Sequence, residues 1–316
     1  MKKTNFAVAL LMGCGFVTDA AAGNYDYEVG LTYGWGESDS TFSSAFGGAP
    51  VPSPGISTSS SDTDDINLFG SWYYSGLSDA VGPKSRAAFL SRASSVGLAY
   101  SRSDGSSSSE FTGGGILPPV TTSSDTTSNV LSANLRHVWR DSGWYALAGI
   151  SSADLETNTL SNGIAASFDF DSTAYFLGAG KYLGKATTLD LNVATSDSGD
   201  SSPTVIALTL SHVGSIGASW QYGADVVYAK SDTAGAGDSY TVRGALYPSA
   251  EFEFGLGFSR QESGIGFDSD TIDASIAWFV RDHIELTARY LQNDPDLAPG
   301  ADVDSSLFGI GVRVRF

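Results

Sequence analysis

The sequence predicts an all-β chain folded as a transmembrane, antiparallel up-and-down barrel of about fourteen strands, with twelve and sixteen each one hairpin away. Three observations carry this. Alternating segments of roughly ten residues recur along the chain. The connections between them are short and long in turn. The last segment closes on an aromatic residue, Phe316.

The chain opens on Lys2 and Lys3, continues with an apolar run from Phe6 to Val17, and reaches the small residues Ala20-Ala21-Ala22. This reads as an export signal with its cleavage site. Residues 1–22 are therefore expected to be removed, leaving 23–316 as the barrel. The apolar run is too short to span a bilayer, and no later segment approaches ~20 uninterrupted apolar residues. Leu11-Met12-Gly13-Cys14 offers a rival lipidation signal, although Met12 fits it poorly. Under the first reading the mature chain has no cysteine, which excludes a disulfide scaffold and thiol chemistry.

Strands are expected near 24–36, 64–75, 87–102, 128–140, 143–154, 168–181, 186–195, 204–213, 216–230, 239–247, 250–260, 269–280, 284–292 and 303–316. Tyr25, Tyr27, Val29, Leu31, Tyr33 and Trp35 alternate with Asp26, Glu28, Gly30, Thr32 and Gly34. Phe308, Ile310, Val312, Val314 and Phe316 alternate with Gly309, Gly311, Arg313 and Arg315. Period two gives each strand one apolar face and one small or polar face. A soluble sandwich would hide the apolar face in a core, and a barrel would turn it to lipid. The aromatic residues favour the barrel. With odd strands running outward, Trp72, Trp139, Trp144, Trp220 and Trp278 gather at the inner level, together with Tyr74, Tyr145, Tyr182, Tyr222, Tyr247 and Phe316. Tyr33, Tyr100, Tyr228, Tyr240 and Tyr290 gather at the outer level, giving two interfacial girdles.

The connections after even strands are tight, except from Ser75 to Arg86. Those after odd strands (37–63, 103–127, 155–167, 196–203, 231–238, 261–268 and 293–302) hold sixteen acidic side chains and no Lys or Arg. Acidic loops serve plain solubility, bridging through divalent cations to lipopolysaccharide, or attraction of cations to a pore mouth. Cleavage would remove Lys2, Lys3 and Asp19 from a chain of 17 basic and 35 acidic side chains, leaving 15 against 34, a net of −19. Such a balance argues against nucleic-acid binding, which needs Lys and Arg at phosphates.

A barrel of this strand number is too wide for its own side chains to fill. Alternation turns Glu28, Arg136, Asp190, Asn192, Asp225, Arg243, Glu251, Glu253, Asp273, Glu285, Arg289, Arg313 and Arg315 inward. As a set they predict a polar lumen; singly, each could simply pair with a neighbour on the wall. In the connection 103–127, the apolar patch Ile116-Leu117-Pro118-Pro119-Val120 either folds into the mouth as a constriction or packs on a neighbouring loop. His137, His212 and His283 stand alone, and no nucleophile elbow, zinc helix or calcium loop is present. No catalytic site, metal site or cofactor is expected.

The segment Gly82-Pro83-Lys84-Ser85-Arg86-Ala87-Ala88-Phe89-Leu90-Ser91-Arg92-Ala93-Ser94-Ser95-Val96 resembles one found in general porins of Gram-negative bacteria. The terminal Phe316 likewise resembles the assembly signal of outer-membrane proteins. Beyond that segment the resemblance is one of architecture. It implies a passive diffusion channel in the outer membrane of a Gram-negative bacterium. Trimeric porins have sixteen strands and an acidic constriction loop facing a basic cluster, and this sequence departs from both features. The expectation is a channel for small hydrophilic solutes or ions that prefers cations. Its partners would be outer-membrane lipids, lipopolysaccharide and further copies of the chain. The alternative from another class is a non-conducting barrel that interacts through its outer loops. A transporter for nonpolar solutes would want an apolar lumen, which the mixed charges oppose.

Overall fold

The computed structural model describes residues 25–44, 55–75, 82–112, 119–197, 202–217, 219–232, 237–262, 268–296 and 301–316. Fourteen strands form one closed antiparallel barrel in which every strand pairs with its sequence neighbours and the first with the last. They are β1 (Tyr27–Ser44), β2 (Gly55–Trp72), β3 (Ser95–Thr112), β4 (Val120–Trp139), β5 (Trp144–Ser161), β6 (Ile164–Tyr182) and β7 (Thr187–Asp197), then β8 (Thr204–Ile216), β9 (Trp220–Ser231), β10 (Asp238–Ser249), β11 (Phe252–Gln261), β12 (Asp268–Arg281), β13 (Ile284–Asp296) and β14 (Ala301–Arg315). At the height of the lipid-facing band closure leaves no strand edge with unpaired backbone groups, the condition for crossing a bilayer with strands; above it, residues 164–172 of β6 pair with β5 alone. Among the described residues no helix is long and apolar enough to cross a membrane.

The apolar faces point outward. Leu98, Leu131, Leu177 and Leu256 are 60 to 67 % exposed at mid-height on the barrel's outer surface. A water-soluble protein does not present so continuous an apolar surface; lipid is the solvent that accepts it. On β1 the outward run from Tyr27 through Val29, Leu31 and Tyr33 to Trp35 is nine residues long. That is about the length a tilted strand needs to span the hydrocarbon.

Above that band the strands run further than the alternation predicts. The expected long connections 37–63, 103–127 and 155–167 are for the most part strand. The β1–β2 ladder continues to Ser44↔Gly55 and the β3–β4 ladder to Phe111↔Val120. The β5–β6 ladder continues to Ser161↔Ile164, where Asn162-Gly163 (φ 49° and 81°) closes a two-residue turn. Positive φ at both central residues makes this the tight hairpin turn whose twist suits the flanking strands. Both faces of these extensions meet water, so Ser and Thr fill both and the alternation that marks a strand disappears. Cross-strand hydroxyl pairs such as Ser40–Ser59 (2.9 Å) and Thr122–Ser161 (3.0 Å) line them instead.

The opposite end has tight turns. Residues 140–143, 250–251 and 282–283 join β4 to β5, β10 to β11 and β12 to β13. Gly143 has φ 69°, and a Cβ there would lie 3.4 Å from Tyr182, so the β4–β5 turn calls for glycine. The one long connection at this end runs from β2 to β3. It extends to Ser94, so residues 87–94, expected as the start of a strand, are not strand. Ala87–Leu90 form a single helical turn, α1. Four apolar residues cannot be told apart as helix or strand by periodicity, and Ala and Leu are strong helix formers.

Candidate functional site: a latched plug and the cavity above it

From Gly82 on, the described part of the connection from β2 to β3 is packed inside the end of the barrel. Pro83 to Phe89, Ala93 and Ser94 are buried. A 3-10 turn at Lys84–Arg86 leads into α1, which ends when Arg92 takes φ 54°. The Arg92 N–H then bonds the Phe89 carbonyl (3.2 Å) and the Ala93 N–H bonds the Ala88 carbonyl (2.9 Å). These two bonds form the Schellman cap, with arginine in the left-handed position where glycine is usual. Ala87 and Ala88 (0 and 1 % exposed) let α1 lie flat against the wall.

Three basic side chains fasten this plug to widely separated strands. Lys84 is held by its backbone N–H on the Ala250 carbonyl (2.9 Å) and by its Nζ on Asp282 (2.7 Å) and Glu251 (3.5 Å). Arg86 reaches β9 and β10, with Nε on the Tyr247 hydroxyl (3.0 Å) and one terminal nitrogen 2.5 Å from Asp225. Burial pushes the Arg86 pKa down, but Tyr247 and Asp225 raise it by more, so its charge is secure. Arg92 donates to the carbonyls of Arg140 (3.2 Å) and Gly184 (2.7 Å) and lies 4.7 Å over the Tyr182 ring. Arg140 returns the contact through the Ser75 carbonyl (3.1 Å). Between these latches Phe89 fills a cluster with Val138, Tyr145, Tyr182 and Val213. Tyr73 packs with Ala88 and Ala93 on the other side.

At the seam between first and last strands Glu28, Glu285, Arg313 and Arg315 form a neutral buried quartet. Arg313 bonds Glu285 (2.5 Å) and Glu28 (3.2 Å), while Arg315 bonds Glu28 (3.3 Å) and Glu285 (3.2 Å). Three of the side chains are at most 1 % exposed and Arg313 is 12 % exposed. The Arg315 guanidinium also lies 4.3 Å over the Phe279 ring. Two anions and two cations with shared hydrogen bonds are what makes such burial tolerable.

Above the plug lies a lumenal cavity of about 340 Å3. Its floor is Arg86, Ala88, Phe89 and Ala93 of the plug, and it rises to Ser231, Ser239 and Gln261 at the far ends of their strands. Arg136, Asp190, Asn192, Asp225 and Arg243 line it with both signs of charge. Ala194, Val205, Ala207, Val227 and Ala229 form a smooth apolar side. Asp190 accepts from the Tyr145 hydroxyl (2.8 Å) and from the Asn192 amide (2.6 Å). Arg243 donates to Ser275 (2.8 Å) and sits 3.9 Å from Glu253 and from Asp273. Asp273 in turn takes the guanidinium of Arg289.

Among the residues singled out in the sequence, Glu251 departs from its expected place. It lies in the β10–β11 turn and faces Lys84 rather than the cavity. Ile116 and Leu117 lie outside the described residues, and Val120 is the first residue of β4, paired with Phe111. Phe316 is 62 % exposed, and its backbone is tied to β1 through Asp26 (2.9 Å) and Tyr27 (2.9 and 3.2 Å). Tyr145, Tyr182 and Tyr247 are not girdle residues. They are 3, 5 and 1 % exposed and grip the plug. They stand at the expected height on their strands but on the other face, since each directly follows an outward residue, Trp144, Lys181 or Leu246. His137 does stand in the girdle, its Nδ1 2.9 Å from the Tyr74 hydroxyl.

A 14-stranded outer-membrane protein would be expected to match solved barrels in shape whatever its sequence, and this one does. Omp33 of Acinetobacter baumannii superposes with a TM-score of 0.52 at 17 % identity, over 93 % of this chain and all of that one. The fold is that of an outer-membrane β-barrel. OprB of Pseudomonas putida matches over 92 % of this chain and 93 % of its own, at 8 % identity and TM-score 0.42. No family model matches the sequence, and no curated protein does.

Proposed function

We propose that this barrel is a porin-type channel of the Gram-negative outer membrane, reached by export through residues 1–22, which lie outside the described residues. It passes small hydrophilic solutes or ions by diffusion, prefers cations, and rests closed on its periplasmic plug. One observation carries the reading: the charged cavity ends on a segment held by side-chain latches rather than on the wall itself. A wall is permanent, whereas latches of this kind open at a finite free energy. The cation preference rests on the outer connections, which carry acidic side chains and no Lys or Arg. No catalytic role is proposed.

Planar-bilayer recording tests this. The intact chain should open rarely, and replacing residues 83–93 with a short Gly-Ser turn should give a steady, larger conductance. Reversal potentials in a KCl gradient should report cations as the preferred carrier. Anion selectivity would reject the preference; a plug-deleted barrel without steady current would reject the channel.

The plug latched in the lumen also favours a second reading, a closed barrel that acts through its outer surface. On the outward face above the lipid band, carboxylates lie directly opposite one another across neighbouring strands: Glu37↔Asp62, Asp154↔Asp171 and Glu156↔Asp169. Like charges so placed are unfavourable unless something stands between them. Divalent cations shared with lipopolysaccharide phosphates would supply that. Lipopolysaccharide that stays with the purified barrel and is released by EDTA, with a plug-deleted barrel that does not conduct, would favour this reading.

A further inference from the structure

The Arg86 latch joins two parts of different permanence. Asp225 and Tyr247 stand on β9 and β10, within the closed ladder of the wall. Arg86 stands on the plug, outside any ladder. The Arg86 and Asp225 side chains are 10 and 9 % exposed. Room for the guanidinium is made by Gly223, where a Cβ would sit 2.9 Å from the Tyr247 hydroxyl and 3.5 Å from a terminal nitrogen of Arg86. The wall therefore carries a shaped pocket for a planar cation, and the plug fills it with its own. Both Arg86 and Asp225 border the cavity, so a solute in the lumen reaches the same place.

If the plug leaves, Asp225 loses its cation and stands as a lone carboxylate on the lumen wall, beside the Tyr247 hydroxyl. The wall offers one substitute. Arg243 is directly across the strand pair from Asp225, but its guanidinium is turned to Ser275, Glu253 and Asp273. A solute cation with N–H donors would restore what Arg86 removes. An anion would instead have to follow Arg86 out with the plug and would leave Asp225 unpaired.

We infer that the Asp225–Tyr247 pocket is a binding site for solutes bearing a guanidinium or similar N–H cation, and that such a solute opens the plug by replacing Arg86 there. The site is occupied internally at rest, and the solute binds the open state in preference to the closed one. This deepens the cation-channel reading and rests on it for transport, but the pocket itself does not depend on conduction.

The test has two arms, with methylguanidinium as probe and tetramethylammonium, which has no N–H, as control at equal ionic strength. In bilayers, methylguanidinium added on the outer side should raise the open probability of the intact chain saturably, and tetramethylammonium should not. In detergent, calorimetry on Arg86→Ala should show methylguanidinium binding in the vacated pocket. The double variant R86A/D225N should bind it roughly tenfold more weakly or worse, the discrimination of a charge-assisted pair. Should R86A fail to give the compact, heat-modifiable barrel on gels, Arg86→Gln offers the same vacancy with less lost volume. Equal binding to the single and double variants, or none to either, would overturn the inference. Binding that depends on Asp225 in a barrel without currents would leave the site standing and reject the channel.

Discussion

Tyr182 holds Phe89 twice. Its hydroxyl donates to the Phe89 carbonyl at 2.7 Å, and its ring meets the Phe89 ring at a centroid distance of 5.7 Å. A strand residue thus fixes both backbone and side chain of the plug. Phe89→Ala should remove about 3–5 kcal/mol of plug docking, as expected for a buried aromatic, and Tyr182→Phe about 1 kcal/mol for one hydrogen bond. The barrel's ladders do not use either group. Trypsin should therefore cut F89A at Arg86 or Arg92 while the barrel keeps its heat-modifiable migration. Cleavage no faster than in the parent would count against a separately opening plug.

The Lys84 latch is acid-sensitive. The hydrogen bond from Lys84 holds the Asp282 carboxyl below its ordinary value of 3.8, helped by the Lys84 charge and opposed by slight burial, with His283 adding a little. A carboxyl lowered in the folded state contributes stability above its unfolded value, and that contribution is lost as pH falls through the folded one. Below about pH 3.8 the plug's grip on the β12–β13 turn should weaken. Hydrogen exchange of residues 83–90, followed from neutral pH downward, should speed up in this window. Lys84→Met should lose the pH dependence while exchanging faster at neutral pH. An unchanged acid response in K84M would place the sensor outside the Lys84 latch, away from both Asp282 and Glu251.

How much is legible in the sequence follows from where the solvent is. Where one face meets lipid, alternation is enforced, and β11 and β14 can be placed from Phe252, Phe254 and Phe258 or from Ile310 and Val312. Where both faces meet water, as in Ser101–Thr112 of β3, nothing alternates, and strand passes for loop. The plug is hidden for another reason. Its three basic residues, Lys84, Arg86 and Arg92, within one long turn of an acidic chain are a signal, but their partners Asp282, Asp225 and the Gly184 carbonyl are distant in sequence. Only barrel closure brings them together. Tyr145, Tyr182 and Tyr247 escape a girdle count because level along a strand and face of a strand are separate properties.

The Asn162-Gly163 turn offers a control remote from the plug. Gly163 has φ 81°, and no atom lies within 4 Å of where a Cβ would stand, so Gly163→Ala is strained by backbone alone. The cost should be about 1 kcal/mol. It should appear as faster exchange in the last few pairs of β5 and β6, next to Ser161↔Ile164, with conductance and plug protection unchanged. A change in either of those would mean that the tall hairpin bears on the channel.

The seam quartet makes the last prediction. Glu285→Gln keeps shape but leaves Arg313 and Arg315 sharing only Glu28, one net positive charge in a site whose side chains are nearly all buried. Breaking such a group should destabilise the barrel by about 3–5 kcal/mol. Because Glu28 is on β1 and the other three on β13 and β14, the loss should fall on closure of the seam. It would be seen as slower appearance of the compact, heat-modifiable species during refolding into lipid. Arg313→Gln in the same chain restores neutrality, so the double variant should fold closer to the parent than E285Q does. If the two losses simply add, the quartet is a set of independent contacts, and closure is secured instead by the β1–β14 backbone ladder that runs from Glu28↔Arg315 to Phe42↔Ala301.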